Sequence, residues 1–199
     1  FNVNQEGNIR FGLSAVKGVG DSAAERIVAE RQKNGPYKDI FDFVERINLH
    51  MVNKKCIESL ATAGAFDNLS KLNRAQFFAE NGREGSFIES LVKYGNKYQN
   101  DRNTKQHTLF DASGGIEITK PKIPSVEEWD KLEKLNKEKE LVGIYLSAHP
   151  LDDFKTEMEH FVDTSLKKLN TDFDDFKDKD IAVGGIVTQV HHAVSKNNK

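Results

Sequence analysis

Residues Val16-Lys17-Gly18-Val19-Gly20-Asp21 form a glycine-rich turn that runs straight into an amphipathic helix, and this junction limits the fold more than any other stretch. Gly18 and Gly20 flank one small apolar residue, so the backbone can turn tightly and a ligand can approach it with no Cβ in the way. The helix that follows aims its unpaired N–H groups and the positive end of its dipole at whatever lies in front of the turn, an arrangement that favours an anion.

An apolar residue before a Gly-Val-Gly turn, then Ala23, Ile27 and Val28 on one helical face, is the helix-hairpin-helix pattern. Such hairpins dock on the sugar-phosphate backbone of nucleic acid rather than on base edges. The candidate contact residues are Lys17, Gly18, Val19, Gly20 and Asp21. The competing reading is a plain helix-to-helix turn, and Asp21 favours it, because its carboxylate could fill the helix N-terminus that a phosphate would use. The helix is expected from about Ser22 to Lys33, with Ser22 and Glu25 at capping-box spacing and Asn34-Gly35-Pro36 as the stop.

Upstream, Ile9 to Phe11 reads as a short strand and Leu13 to Val16 as a short helix. Downstream, apolar spacing predicts helices over Asp39 to Ile47 and Asn53 to Ala63, the latter ending on Gly64. A helical pattern resumes from Lys71 to Glu80, so two helices joined by a short glycine turn occur a second time. This second turn has Ala-Gly-Ala where the first has Gly-Val-Gly and is expected to be mainly structural.

From about Tyr94 to Val126 the composition shifts to Asn, Lys, Gln, Thr, Gly and Pro, which predicts a long exposed loop. Within it lies Gln106-His107-Thr108-Leu109-Phe110. Leaving Leu109 and Phe110 in water has no folding benefit, so either a partner's pocket receives them or they anchor the loop on the protein's own surface. Helices are expected again over Val126 to Leu146, ending before Pro150, and from Leu151 to Phe161. A polar connector, Asp172 to Asp180, leads to a strand-like run from Ile181 to Val190. A lone strand is not stable in water, and the chain opens at Phe1 without a methionine; both point to a piece cut from a larger protein, ending in the first strand of a β domain.

A formal net charge of −2 argues against a strongly basic protein that coats DNA. Residues 1–60 hold 9 basic and 8 acidic side chains, 61–110 hold 7 and 5, and 111–199 hold 13 and 18, so contact with nucleic acid should come from the first half through a few backbone contacts. Cys56 is the only cysteine, which excludes internal disulfides and fits a reducing, cytoplasmic setting; it reads as a buried helical residue. No apolar run is long enough to span a bilayer. His191 and His192 have no acidic or cysteine partner at ligand spacing, and His149 reads as a helix-end residue. Lys54 and Lys55 fit DNA contacts and a solvated helix start equally well.

Four segments, taken in order, resemble the catalytic alpha subunits of bacterial DNA polymerase III: Ile9 to Gly20, Phe41-Asp42-Phe43, Ser59 to Asp67, and Glu140 to Leu151. The resemblance implies a region downstream of the polymerase core. In these terms the expected fold is mainly α: residues 1–92 hold the end of the fingers and a tandem helix-hairpin-helix module, 93–126 a clamp-binding loop, 127–177 a helical connector, and 178–199 the first strand of a truncated OB domain. Gln106, Thr108, Leu109 and Phe110 fall where the family carries its internal motif for the sliding clamp, and His107 and Thr108 depart from its commonest forms.

The implied partners are duplex DNA, the sliding clamp and other replicative holoenzyme subunits, with no membrane. The family's catalytic aspartates lie outside these residues, so the chain alone is expected to be catalytically inactive and to carry no cofactor, while the parent polymerase would use Mg2+. The alternative reading is a helix-hairpin-helix DNA-binding module of a repair ligase or nuclease.

Overall fold

The computed structural model describes residues 2–82, 85–107 and 118–193, with backbone alone at 103–107. The chain divides into two compact units, Phe1–Leu146 and Ser147–Lys199.

The first unit opens with a two-stranded antiparallel ribbon, β1 (Asn2–Val3) on β2 (Ile9–Arg10). A 3-10 turn at Leu13–Ala15 follows, and then α1 (Asp21–Asn34), α2 (Ile40–Arg46), α3 (Lys54–Thr62) and α4 (Arg74–Phe78). Three of these helices begin on a side chain that satisfies an orphan N–H: Asp39 accepts from Asp42 N, Asn53 from Cys56 N, and Asn73 from Gln76 N within a reciprocal capping box. Apolar residues at three- and four-residue spacing then face one core, in which Phe43, Val44, Ile57, Leu60 and Phe77 are buried. The first unit is completed by α5 (Phe87–His107) and α6 (Lys131–Val142). Cys56 lies in this core as expected, 3% exposed, and burial pushes its thiol pKa up.

Four expectations from sequence are corrected. Residues 94–107, read as loop, belong to α5, because Phe87, Ile88, Leu91, Tyr94 and Gly95 line one face against α2. A Cβ on Gly95 would stand 2.7 Å from the Val44 carbonyl oxygen, and Gln99 Nε2 donates to the carbonyls of Val44 and Ile47, so close approach and side-chain capping hold a helix that composition obscures. The helix expected from Val126 begins only at Lys131, since Glu128 is drawn away to another helix end. The Ser22–Glu25 capping box does not form; α1 begins at Asp21 with Gly20 as its N-cap and no side-chain cap.

The fourth correction concerns the second unit. It holds a 3-10 turn at Asp152–Phe154, α7 (Lys155–His160), α8 (Leu166–Thr171) and a further 3-10 turn at Phe173–Phe176. The strand expected over Ile181–Val190 is absent: residues 181–193 are irregular, because no neighbouring strand among the described residues offers a ladder. Ala182 is instead held by Asp163 through a reciprocal pair of hydrogen bonds at 2.7 and 3.0 Å. Among the described residues no helix is long and apolar enough to cross a membrane.

Candidate nucleic-acid interface

The first glycine bend is built from the core outward. Val16 and Val19 are buried, 6% and 5% exposed, and pin the turn from below, while Lys17, Gly18, Gly20, Asp21 and Ser22 face solvent. Val19 N donates to Val16 O at 3.0 Å and Lys17 N to Leu141 O, at the end of α6, at 2.9 Å. Those two amides are therefore used in holding the bend. The amides of Gly18, Gly20, Asp21 and Ser22 have no acceptor among the described residues.

The two glycines are there for different reasons. Gly18 has φ +90°, a left-handed conformation that side chains resist, and a Cβ on it would stand 2.5 Å from Ser59 Oγ. Its glycine is a requirement of the fold. Gly20 has an ordinary extended backbone, φ −73° and ψ 155°, and a Cβ there would meet nothing within 4 Å. Nothing among the described residues demands that Gly20 lack a side chain, and Gly20 is the N-cap of α1, beside the unbonded amides of Gly18, Asp21 and Ser22.

Of the five residues singled out from sequence, Gly18, Gly20 and Asp21 contribute free amides, and Lys17 contributes an exposed ammonium with no partner among the described residues. Val19 contributes burial and not contact. The Asp21 carboxylate makes no capping bond, so the helix end is not filled by the chain's own anion.

The second bend contrasts with it. Gly64 has φ +79°, but a Cβ on it would fall 2.1 Å from the Arg74 guanidinium. Arg74, 3% exposed, bonds Asp67 at 2.7 Å, Thr62 O at 3.1 Å and Glu138 at 3.3 Å. Glu138 is itself 1% exposed and accepts from Leu146 N with its other oxygen, at 2.8 Å. The free amides of α4 are filled as well: Glu128 accepts from Arg74 N and Ala75 N, both at 3.1 Å. Burial alone would raise the Glu128 pKa; these bonds, with those from Lys134 and Trp129 N, outweigh it and hold the carboxyl below its ordinary range. Neither Arg74 nor Glu128 was visible as a site residue in the sequence, since Arg74 meets Glu138 and Glu128 meets the α4 amides 64 and 53–54 residues away along the chain.

Gln106 lies in the last turn of α5 by its backbone, whereas Thr108, Leu109 and Phe110 lie outside the described residues. Among the described residues, His, Cys, Asp and Glu form no group of three or more able to hold a metal ion.

Comparison with known proteins agrees with the geometry. Residues 1–77 match the family described as helix-hairpin-helix motif. Three relatives share one name, DNA polymerase III subunit alpha. The chain is 38% identical to the Caulobacter vibrioides protein over 75% of its own length. It is 33% identical to the Vibrio cholerae protein over 94%, and 34% identical to the Borreliella burgdorferi protein over 100%. It spans only 12, 15 and 16% of the length of these relatives, in that order.

Proposed function

We propose, from the premise that this chain belongs to the DNA polymerase III alpha subunits as one segment of that family, that it grips the backbone of duplex DNA through the first bend and tethers it to the sliding clamp. The observation that carries the DNA reading is the open α1 N-terminus: four unbonded amides, no side-chain cap, and a glycine at position 20 that the fold does not require. A phosphodiester accepts hydrogen bonds from such amides and gains from the helix dipole, without reading sequence. Lys17 adds one point charge beside it.

The clamp reading rests on Gln106, Thr108, Leu109 and Phe110. The Gln amide can bond backbone groups at a pocket rim, while the aliphatic-aromatic pair fills an apolar cavity. A segment that holds duplex and ring together raises the effective concentration of the primer end, and so supports processive synthesis without chemistry of its own. Further holoenzyme subunits would be engaged through the rest of the parent polypeptide.

Fluorescence anisotropy with a labelled duplex tests the first part. Wild-type chain should bind duplexes of unrelated sequence equally, and Gly20→Val, whose Cβ meets nothing within 4 Å among the described residues, should weaken binding at least tenfold with its urea midpoint nearly unchanged. Equal binding by wild type and Gly20→Val would exclude the bend. For the clamp, a peptide spanning residues 105–111 should bind the cognate ring, and Phe110→Ala should abolish that binding; a peptide that does not bind removes the tether.

A further inference from the structure

We infer that the DNA-backbone site does not end at the first bend but continues onto α3, where Ser59 and Lys55 receive a phosphate beside the one at the α1 amides. This rests on the reading of the first bend given above. The contact that joins the two helices is close, since Ser59 Oγ stands 2.5 Å from where a Gly18 Cβ would be. Ser59 is 7% exposed, yet its hydroxyl has no hydrogen-bond partner among the described residues. A hydroxyl placed against this turn without a partner is one that a bound phosphate oxygen can take as acceptor.

Lys55 lies one helical turn before Ser59, on the same face. Both line a cavity of about 420 Å³ between α3 and α6, together with Thr62, Trp129 and Lys137. Leu141, which also lines this cavity, accepts the N–H of Lys17 with its carbonyl, which ties the cavity wall to the bend.

The two neighbouring lysines are treated differently. Lys54 is committed: its ammonium is 2.6 Å from Glu89 and 3.5 Å from Glu58. Lys55 is exposed and has no ion-pair partner among the described residues. Both occupy the first turn of α3, where a cation opposes the helix dipole. For Lys54 two carboxylates offset that cost, whereas for Lys55 no ion pair among the described residues does, and a local rule broken without compensation marks a residue kept for an external partner. Glu58 and Glu140 line the same cavity and limit the gain from Lys55.

The test is a salt titration of the whole chain on duplex DNA. Neutralising one phosphate contact lowers the slope of log K against log salt by about 0.9. Lys55→Gln should show that drop; Lys54→Gln should keep the wild-type slope. Ser59→Ala should weaken binding about tenfold with an unchanged slope and an unchanged urea midpoint, as loss of a hydrogen bond to a charged group does. If Lys55→Gln keeps the wild-type slope, or if the Lys54 variant loses as much, the extension onto α3 is wrong. Gly20→Val in the same titration separates the two ideas: binding lost there but intact in Lys55→Gln leaves the bend standing alone. A wild-type chain that binds no duplex removes both.

Discussion

At the first bend Gly18 and Gly20 face solvent and four amides wait for an acceptor; at the second, Gly64 lies under a guanidinium and the neighbouring helix amides are filled by Glu128. The backbones are alike, with φ +90° at Gly18 and +79° at Gly64. What differs is the occupant. A turn whose amides are left open can receive an anion, and a like turn closed by the chain's own carboxylates and arginine is a joint, here fastening α6 to α3 and α4.

The largest effect expected from this contrast is at Arg74. Arg74→Ala removes the buried cation opposite Glu138, which is 1% exposed, and should cost about 3–5 kcal/mol in urea unfolding. An Arg74 that can be removed for less than about 1 kcal/mol would mean the second bend is not fastened in this way. Gly64→Ala comes next, at about 3 kcal/mol, because a left-handed alanine must also displace a locked guanidinium. Gly18→Ala should cost about 2 kcal/mol, since the atom it meets is the tip of a short side chain. Ser59→Ala in the same chain should recover part of that loss, leaving only the backbone strain; no recovery would show that the clash is not with the hydroxyl.

The smallest effect is in acid. The Glu128 pKa is depressed in the folded state, so its contribution is fully present above the ordinary glutamate range and is lost as pH falls through the folded value. Glu128→Gln should flatten the acid limb of the stability curve and leave the neutral region nearly unchanged in shape. An acid limb identical in both proteins would show that Glu128 is not held by the α4 amides.

Much of this contrast was legible in the sequence and part was not. The Gly-Val-Gly spacing located the open bend, and the starts of α2 and α3 and the Gly64 stop lay close to where apolar spacing and the glycine put them, because those signals are local. The reading of the second turn as structural came from its degraded glycines, but its cause, Arg74 with Glu128 and Glu138, is a set of contacts between distant segments that no local pattern records. The same holds for α5: Lys93, Asn96 and Lys97 on its outer face hid Leu91, Tyr94 and Gly95 on the inner one. The missing C-terminal strand shows the converse, an apolar run whose state is decided by whether a partner strand is beside it.

The most direct measurement is the amide proton–nitrogen spectrum of the whole chain during addition of duplex DNA. The account predicts shifts at Gly18, Gly20, Asp21 and Ser22, whose amides are free, with Gly64, Arg74 and Ala75 unmoved because theirs lie in the closed joint. Shifts at the second bend with a silent first bend would contradict it.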